Sequence, residues 1–201
     1  MASASGLPPK GTPGHFGTIS NYFPADHKRT VETIDDLVLI GLGANLPGAD
    51  GRSPRDTCQA ALDALADAGV GVARRSRWYA SAPHPPSDQP WFVNAVAALD
   101  TELDAISLLR LLLAVERQFG RERRQRWAAR VLDLDLLCHG RAVIDDADGG
   151  LVLPHPRLHD RPFVLAPLAE IAPGWRHPVS GRTATALLAA CPSDQIARPL
   201  P

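Results

Sequence analysis

Apolar residues recur along this chain with two distinct periods, and the first 35 residues show neither. Leu37-Val38-Leu39-Ile40-Gly41-Leu42 is an unbroken apolar run, the mark of a buried strand, and Gly43-Ala44-Asn45-Leu46-Pro47-Gly48 follows it as a loop. Ser53-Pro54-Arg55-Asp56 has the composition of a helix start: a hydroxyl cap, a proline in the first turn and an acid at the positive dipole end. Cys58, Ala61, Leu62 and Leu65 then share one helical face. Val70 to Ala82 reads as extended until Pro83-His84-Pro85-Pro86 breaks it, and Trp91 to Leu99 reads as another strand. Ala105, Leu108, Leu109, Leu112, Val115 and Phe119 recur at helical spacing and predict a long amphipathic helix from Leu103 to Phe119. In Arg130-Val131-Leu132-Asp133-Leu134-Asp135-Leu136-Leu137 the period is two, so Asp133 and Asp135 point one way and Leu132, Leu134 and Leu136 the other. A Gly/Asp-rich turn falls near Asp145 to Gly150, and short helices are expected around His155 to His159, Pro162 to Ile171 and Thr183 to Ala190. The order strand–helix–strand–strand–helix–strand predicts a single-domain α+β fold: a ferredoxin-like α/β sandwich with an antiparallel-rich sheet and helices covering one sheet face.

Residues 1–35 are rich in Gly, Pro, Ser and Thr and are expected to form a disordered extension, with the folded domain over 36–192 and a C-terminal tail over 193–201. A formal net charge of −1 argues against a nucleic-acid or membrane-surface binder whose affinity rests on excess positive charge. Cys58, Cys138 and Cys191 form neither a C-x-x-C pair nor a disulfide framework, which fits a reducing cytosol. No apolar run approaches a membrane span and the N-terminus lacks a signal-peptide core, so a cytoplasmic protein is expected.

The candidate chemistry lies at the Asp133/Asp135 strand. Paired carboxylates on a rigid strand repel unless a cation sits between them, and Mg²⁺ takes such oxygen ligands while leaving positions for water and phosphate. The ten residues Arg121 to Arg130 hold five arginines, which could neutralise a polyphosphate. Taken singly, the acid pair is the solvent face of a strand and the arginines are a solvated loop. Joined end to end, they read as half of a nucleotide phosphoryl-transfer site. Gly41-Leu42-Gly43 after a strand fails as a dinucleotide fingerprint, because the third glycine would fall at Leu46, and no P-loop motif exists. Any ATP must therefore be held by arginines and metal. Phe92 and Asn94 share a strand face and could form a platform for a flat heterocycle; a core Phe beside a sheet-edge Asn is an equal reading. His155 and His159 have zinc-compatible spacing but no third ligand at a telling distance. Glu116, on the inner edge of the long helix, needs a partner, and an arginine is the plainer one.

Taken in order, several segments resemble the 6-hydroxymethyl-7,8-dihydropterin pyrophosphokinase (2-amino-4-hydroxy-6-hydroxymethyldihydropteridine diphosphokinase) family of folate biosynthesis. They are Gly43-Ala44-Asn45-Leu46, Pro83 through Gln89-Pro90-Trp91-Phe92-Val93-Asn94, Glu116 with Gly120-Arg121-Glu122-Arg123, Arg126 through Asp135, and Pro154-His155 with Arg161 and Phe163. The resemblance implies transfer of the β,γ-diphosphoryl unit of ATP to the pterin hydroxymethyl group, leaving AMP. It implies that Asp133 and Asp135 hold two Mg²⁺ ions, and that Arg121, Arg130, Asp133 and Asp135 are the catalytic set. Glu116, Arg121, Arg123, Trp127, Arg130, His155 and Arg161 would bind ATP, with Trp127 and the arginine loop as a lid. Pro83, Phe92, Asn94 and Phe163 would bind the pterin. ATP and the pterin would be the partners of a monomer, with no nucleic acid or membrane. Ala44, Ala128-Ala129 and Phe92 stand where the family often has Ser, Gly-Pro and Tyr, and the arginine loop is about one residue short of some relatives. The rival readings are a non-catalytic pterin-binding module, a metal-dependent hydrolase using His155 and His159, and a small RNA-binding module.

Overall fold

The computed structural model describes residues 33–120, 129–146, 150–192 and 195–201. Of the extension expected over residues 1–35, residues 1–32 lie outside them, as do Arg121, Arg123 and Trp127, while Ile34–Asp36 forms a 3-10 turn. In chain order the first half contains β1 (Val38–Ala44), α1 (Pro54–Asp67), β2 (Gly71–Arg75), β3 (Tyr79–Ser81), β4 (Phe92–Asp100) and α2 (Ala105–Gln118). The second half contains β5 (Asp133–His139), β6 (Ile144–Asp146), β7 (Leu151–Leu153), α3 (Pro162–Ile171), α4 (Ala184–Leu188) and β8 (Ala197–Pro199).

The main sheet runs β5-β1-β4-β3-β8, and its pairings among the described residues are antiparallel. β2 and β3 pair with successive halves of β4, so the single extended segment expected over Val70 to Ala82 is one strand broken at Ser76. There the Ser76 hydroxyl accepts the Val96 N–H at 3.1 Å and donates to the Arg77 carbonyl at 2.7 Å, a side chain substituting for a ladder bond. The expected tail contributes β8, tied to β3 by backbone pairing. β6 and β7 form a separate two-stranded sheet, β6 taking in Asp145 and Asp146 of the expected turn; residues 147–149 of that turn lie outside the described residues. The helix expected at His155–His159 is a short 3-10 turn over Leu158–Asp160.

Local chemistry sets the helix starts. Ser53 caps α1 by accepting the Asp56 N–H at 3.2 Å, and Asp104 caps α2 by accepting the Ser107 N–H at 2.9 Å. The apolar stripes of both helices (Cys58, Leu62, Leu65; Leu108, Leu112, Val115) pack on Val38, Ile40, Leu42, Leu134 and Leu136. Each fully buried leucine there contributes roughly 1.5–3 kcal/mol by leaving water.

The expectation that helices cover one face is corrected. Leu37, Leu39, Val96, Ala98 and Leu137 form a second core with Val164, Leu165 and Leu168 of α3, Leu187 of α4, and Trp175. β1 is apolar on both faces because both are covered. α3 and α4 do not reach the end of that face, where β1 carries Gly41 and Gly43 instead of large side chains. The uncovered end is where the candidate site lies.

Candidate active site

Strand register assembles the site. Gly43 is paired with Asn94 of β4 on one side and Asp133 of β5 on the other; Gly41 is paired with Val96 and Asp135. A Cβ at Gly43 would stand 3.4 Å from Asn94 Oδ1 and 4.0 Å from Asp133 Cβ, so the glycine leaves a bare floor between them. Around that floor is a cavity of about 100 Å³, walled by Phe92, Asn94, Arg130, Asp133, Asp135, Arg161 and Phe163. Arg161 caps α3 and Phe163 lies in its first turn, so the positive end of a ten-residue helix faces the cavity.

Asn94 is 4% exposed, and its Nδ2 donates to Ser81 Oγ at 2.9 Å and to the Tyr79 carbonyl at 3.4 Å. A carbonyl can only accept, so these bonds fix the amide orientation and turn Oδ1 toward Gly43. Across the floor, Arg130 Nη1 contacts Asp133 Oδ2, and Arg161 Nη1 lies 3.3 Å from Asp135 Oδ2. Two carboxylates and two guanidinium groups thus share one wall. Burial pulls the Arg161 pKa down, while Asp135 acts against that.

His155 lies beside the pair, its Nε2 4.0 Å from Asp135 Oδ2. Burial and then the Arg161 charge lower its pKa to about 4, so at neutral pH the ring is uncharged. Its Nδ1 accepts the Arg157 N–H at 3.1 Å, which leaves the proton on Nε2, toward the carboxylates. The Cys58 and Cys138 thiols are pushed up to about 12 by burial and are chemically inert there.

Of the expected site residues, the cavity gathers Phe92, Asn94, Arg130, Asp133, Asp135, Arg161 and Phe163, with His155 adjacent. Pro83 lines an adjoining cavity of about 250 Å³ that shares Ser81, Ala82, His84 and Phe163 with the first. Glu116, expected among nucleotide ligands, lies on α2. It is 2% exposed on the α2 side of the sheet, where Oε1 accepts the Leu134 N–H at 2.7 Å. That bond pins β5 between its two aspartates. Among the described residues no group of three or more His, Cys, Asp or Glu side chains is arranged to hold a metal, so the His155/His159 zinc reading gains nothing. The sequence reading missed Gly41 and Gly43 as a floor. Their spacing of two on a strand was the available signal.

The donor set suits Mg²⁺ held by one or two protein carboxylates with substrate oxygens completing its shell. Carboxylates beside guanidinium groups at a concave, aromatic-walled site define a phosphotransferase acting on small molecules. Comparison with known proteins makes this specific. The model of the 7,8-dihydro-6-hydroxymethylpterin-pyrophosphokinase (HPPK) family matches residues 39–173. The 2-amino-4-hydroxy-6-hydroxymethyldihydropteridine pyrophosphokinase of Pseudomonas aeruginosa is 45% identical over 162 residues, covering 80% of this chain and 95% of that protein. The Synechocystis protein of the same name is 42% identical over 151 residues, covering 75% of this chain and 73% of the relative. A crystal structure of Plasmodium falciparum HPPK-DHPS aligns with a TM-score of 0.60 at 13% identity. It covers 86% of this chain, which spans 42% of that longer one, and at that identity it attests to the fold alone. The chain belongs to the HPPK family. That family is the pyrophosphokinase of folate synthesis, which transfers pyrophosphate from ATP to hydroxymethyldihydropterin. Among the described residues, no helix is long and apolar enough to cross a membrane.

Proposed function

We propose that the cavity over Gly41 and Gly43 is where ATP and the dihydropterin meet. The observation that carries this reading is the row Asn94–Gly43–Asp133 across three neighbouring strands. Asn94 and Asp133 are separated by two inter-strand spacings, roughly 10 Å. That span leaves room for a bicyclic ring and its exocyclic carbon between an amide that reads the ring edge and carboxylates that face the phosphates.

In this reading Phe92 and Phe163 stack the pterin, and Asn94 Oδ1 accepts from its N–H edge. Arg130, Arg161 and the Nε2–H of His155 hold phosphate oxygens, and Arg121, Arg123 and Trp127 complete the ATP side. Glu116 serves the ATP side as well, and its bond to the Leu134 N–H holds β5 in place. Asp133 and Asp135 hold Mg²⁺, as two ions. Bound there, the metal supplies positive charge that offsets the build-up on the transferred group. The hydroxymethyl oxygen attacks the β-phosphorus and that O–P bond forms. The bond from the β-phosphorus to the oxygen bridging to the α-phosphorus breaks, AMP leaves with that oxygen, and the hydroxyl proton is lost to solvent. The chain's part is to fix both reactants in line and exclude competing water, which matters because water at the hydroxymethyl position would hydrolyse ATP.

The working unit is a cytoplasmic monomer, its domain over residues 36–192 completed at one sheet edge by β8 of the tail. The test is the nucleotide product formed from ATP, Mg²⁺ and 6-hydroxymethyl-7,8-dihydropterin. AMP that appears only with the pterin supports the reading. ADP, or AMP regardless of pterin, refutes it.

A further inference from the structure

Asn45 follows β1 directly, two residues beyond Gly43, and is 2% exposed. A buried primary amide has to satisfy two donors and an acceptor, and the partners it finds join otherwise distant segments. Oδ1 accepts the Arg130 N–H at 2.8 Å. Nδ2 donates to the Pro90 carbonyl at 3.1 Å and to Gln89 Oε1 at 3.3 Å. The Asn45 N–H itself donates to the Arg130 carbonyl at 3.0 Å, and the Leu46 N–H to the same oxygen at 3.2 Å.

One side chain therefore ties the end of the central strand to two others. Pro90 stands two residues before Phe92, the proposed pterin platform; Arg130 stands three before Asp133, whose carboxylate it contacts. The acceptor half of the amide serves the phosphate side and the donor half serves the pterin side. We infer that Asn45 is a positioning residue which couples the two halves of the site. It sets Arg130 according to where the Pro90–Phe92 segment lies, so that the pterin and the nucleotide each bind more tightly when the other is present. Asn45 touches neither substrate. The inference rests on the functional reading above and extends it to how the two substrates communicate.

Asn45→Asp separates the halves, because it keeps an oxygen for the Arg130 N–H and loses both donors to Pro90 and Gln89. Asn45→Ala removes both sets. The measurement is the affinity for a non-hydrolysable ATP analogue with Mg²⁺, taken with and without the pterin, alongside kcat and each KM. In the wild type the pterin should raise analogue affinity several-fold, the usual size of such coupling. In Asn45→Asp the ratio should fall toward one and kcat should drop on the order of tenfold; the buried carboxylate facing the Pro90 carbonyl also lowers the melting temperature, so both are read well below it. Should one variant fail to fold, the other decides the matter, since both remove the donors to Pro90 and Gln89. A wild-type ratio of one, or an Asn45→Asp ratio equal to a wild-type ratio above one, overturns the coupling role while leaving the functional reading intact. A wild type that forms no AMP from the pterin and ATP overturns the functional reading, and this inference with it.

Discussion

Gly43→Ala tests whether the pterin ring lies where strand register puts it. Gly43 does not use a left-handed backbone conformation, so alanine fits the strand without strain. Its methyl would contact Asn94 Oδ1 at 3.4 Å and Asp133 Cβ at 4.0 Å, both ordinary packing distances. Replacing glycine inside a strand should by itself stabilise the fold by roughly 0.5–1 kcal/mol. The same methyl projects into a cavity of about 100 Å³, where any ring filling the space has to give way. Overpacking of that kind costs about 1–3 kcal/mol, which corresponds to a loss of pterin affinity of roughly 5- to 150-fold. Stability and binding should thus move in opposite directions, a signature that misfolding cannot produce. The assay is a thermal melt paired with pterin titration and steady-state kinetics at saturating ATP. The expected result is an equal or higher melting temperature with a raised KM for the pterin and little change in analogue binding. A variant with wild-type pterin affinity would refute the placement of the ring over Gly43.

Asp133→Asn and Asp135→Asn should each abolish turnover while leaving pterin stacking measurable, since the amides keep the shape but lose the charge that holds Mg²⁺; full activity in either would sink the metal assignment. Glu116→Ala should leave the buried Leu134 N–H without its acceptor. The cost is about 1–3 kcal/mol, read as a melting temperature several degrees lower; Glu116→Gln, which keeps an acceptor oxygen, should be milder, and equal melting of Glu116→Ala and wild type would count against the bond. His177, whose Nδ1 accepts the Val179 and Ser180 N–H groups, has its pKa lowered by burial and secondarily by nearby His159. Its folded pKa lies below the unfolded value of about 6.5, so the unfolded chain takes up the proton first and stability is lost as pH falls below that value. His177→Asn keeps an acceptor but cannot titrate, so the decline in melting temperature between pH 7 and 5 should flatten; an unchanged slope would assign that decline elsewhere.

What the sequence disclosed about the fold was whatever had a local physical cause. Ser53 could be seen as a helix start because capping is settled within three residues, whereas the helix expected from Leu103 is capped by Asp104 and begins at Ala105. β5 was legible because acid and leucine alternate there. The break at Ser76 was not, because it depends on Val96, a partner twenty residues away. β8 was hidden too, since Ala197-Arg198-Pro199 carries no apolar alternation and is held by backbone pairing to β3. The second helical layer was half legible. Successive residues of β1, such as Leu39 and Ile40, are fully buried in different cores, and an apolar run with no polar face already demands cover on both sides.

For the site, the sequence supplied the residue types and tertiary register supplied the neighbours. Asp133 and Asp135 could be put on one face from spacing alone, and so could Phe92 and Asn94. Nothing in either segment says that β1 lies between them, or that the residue of β1 in that row is a glycine. The bare floor exists only because the third strand brings no side chain. Gly41-Leu42-Gly43 invites a nucleotide-binding reading through its resemblance to a phosphate loop, and that reading fails on spacing. The glycines serve a different end. Instead of letting backbone amides approach a phosphate, they keep side chains out of the gap between an amide and a carboxylate. Glu116 makes the complementary point from the other side of the sheet. A buried acid that resembles a ligand in sequence accepts the Leu134 N–H, between the two aspartates, and so holds still the strand on which the chemistry depends.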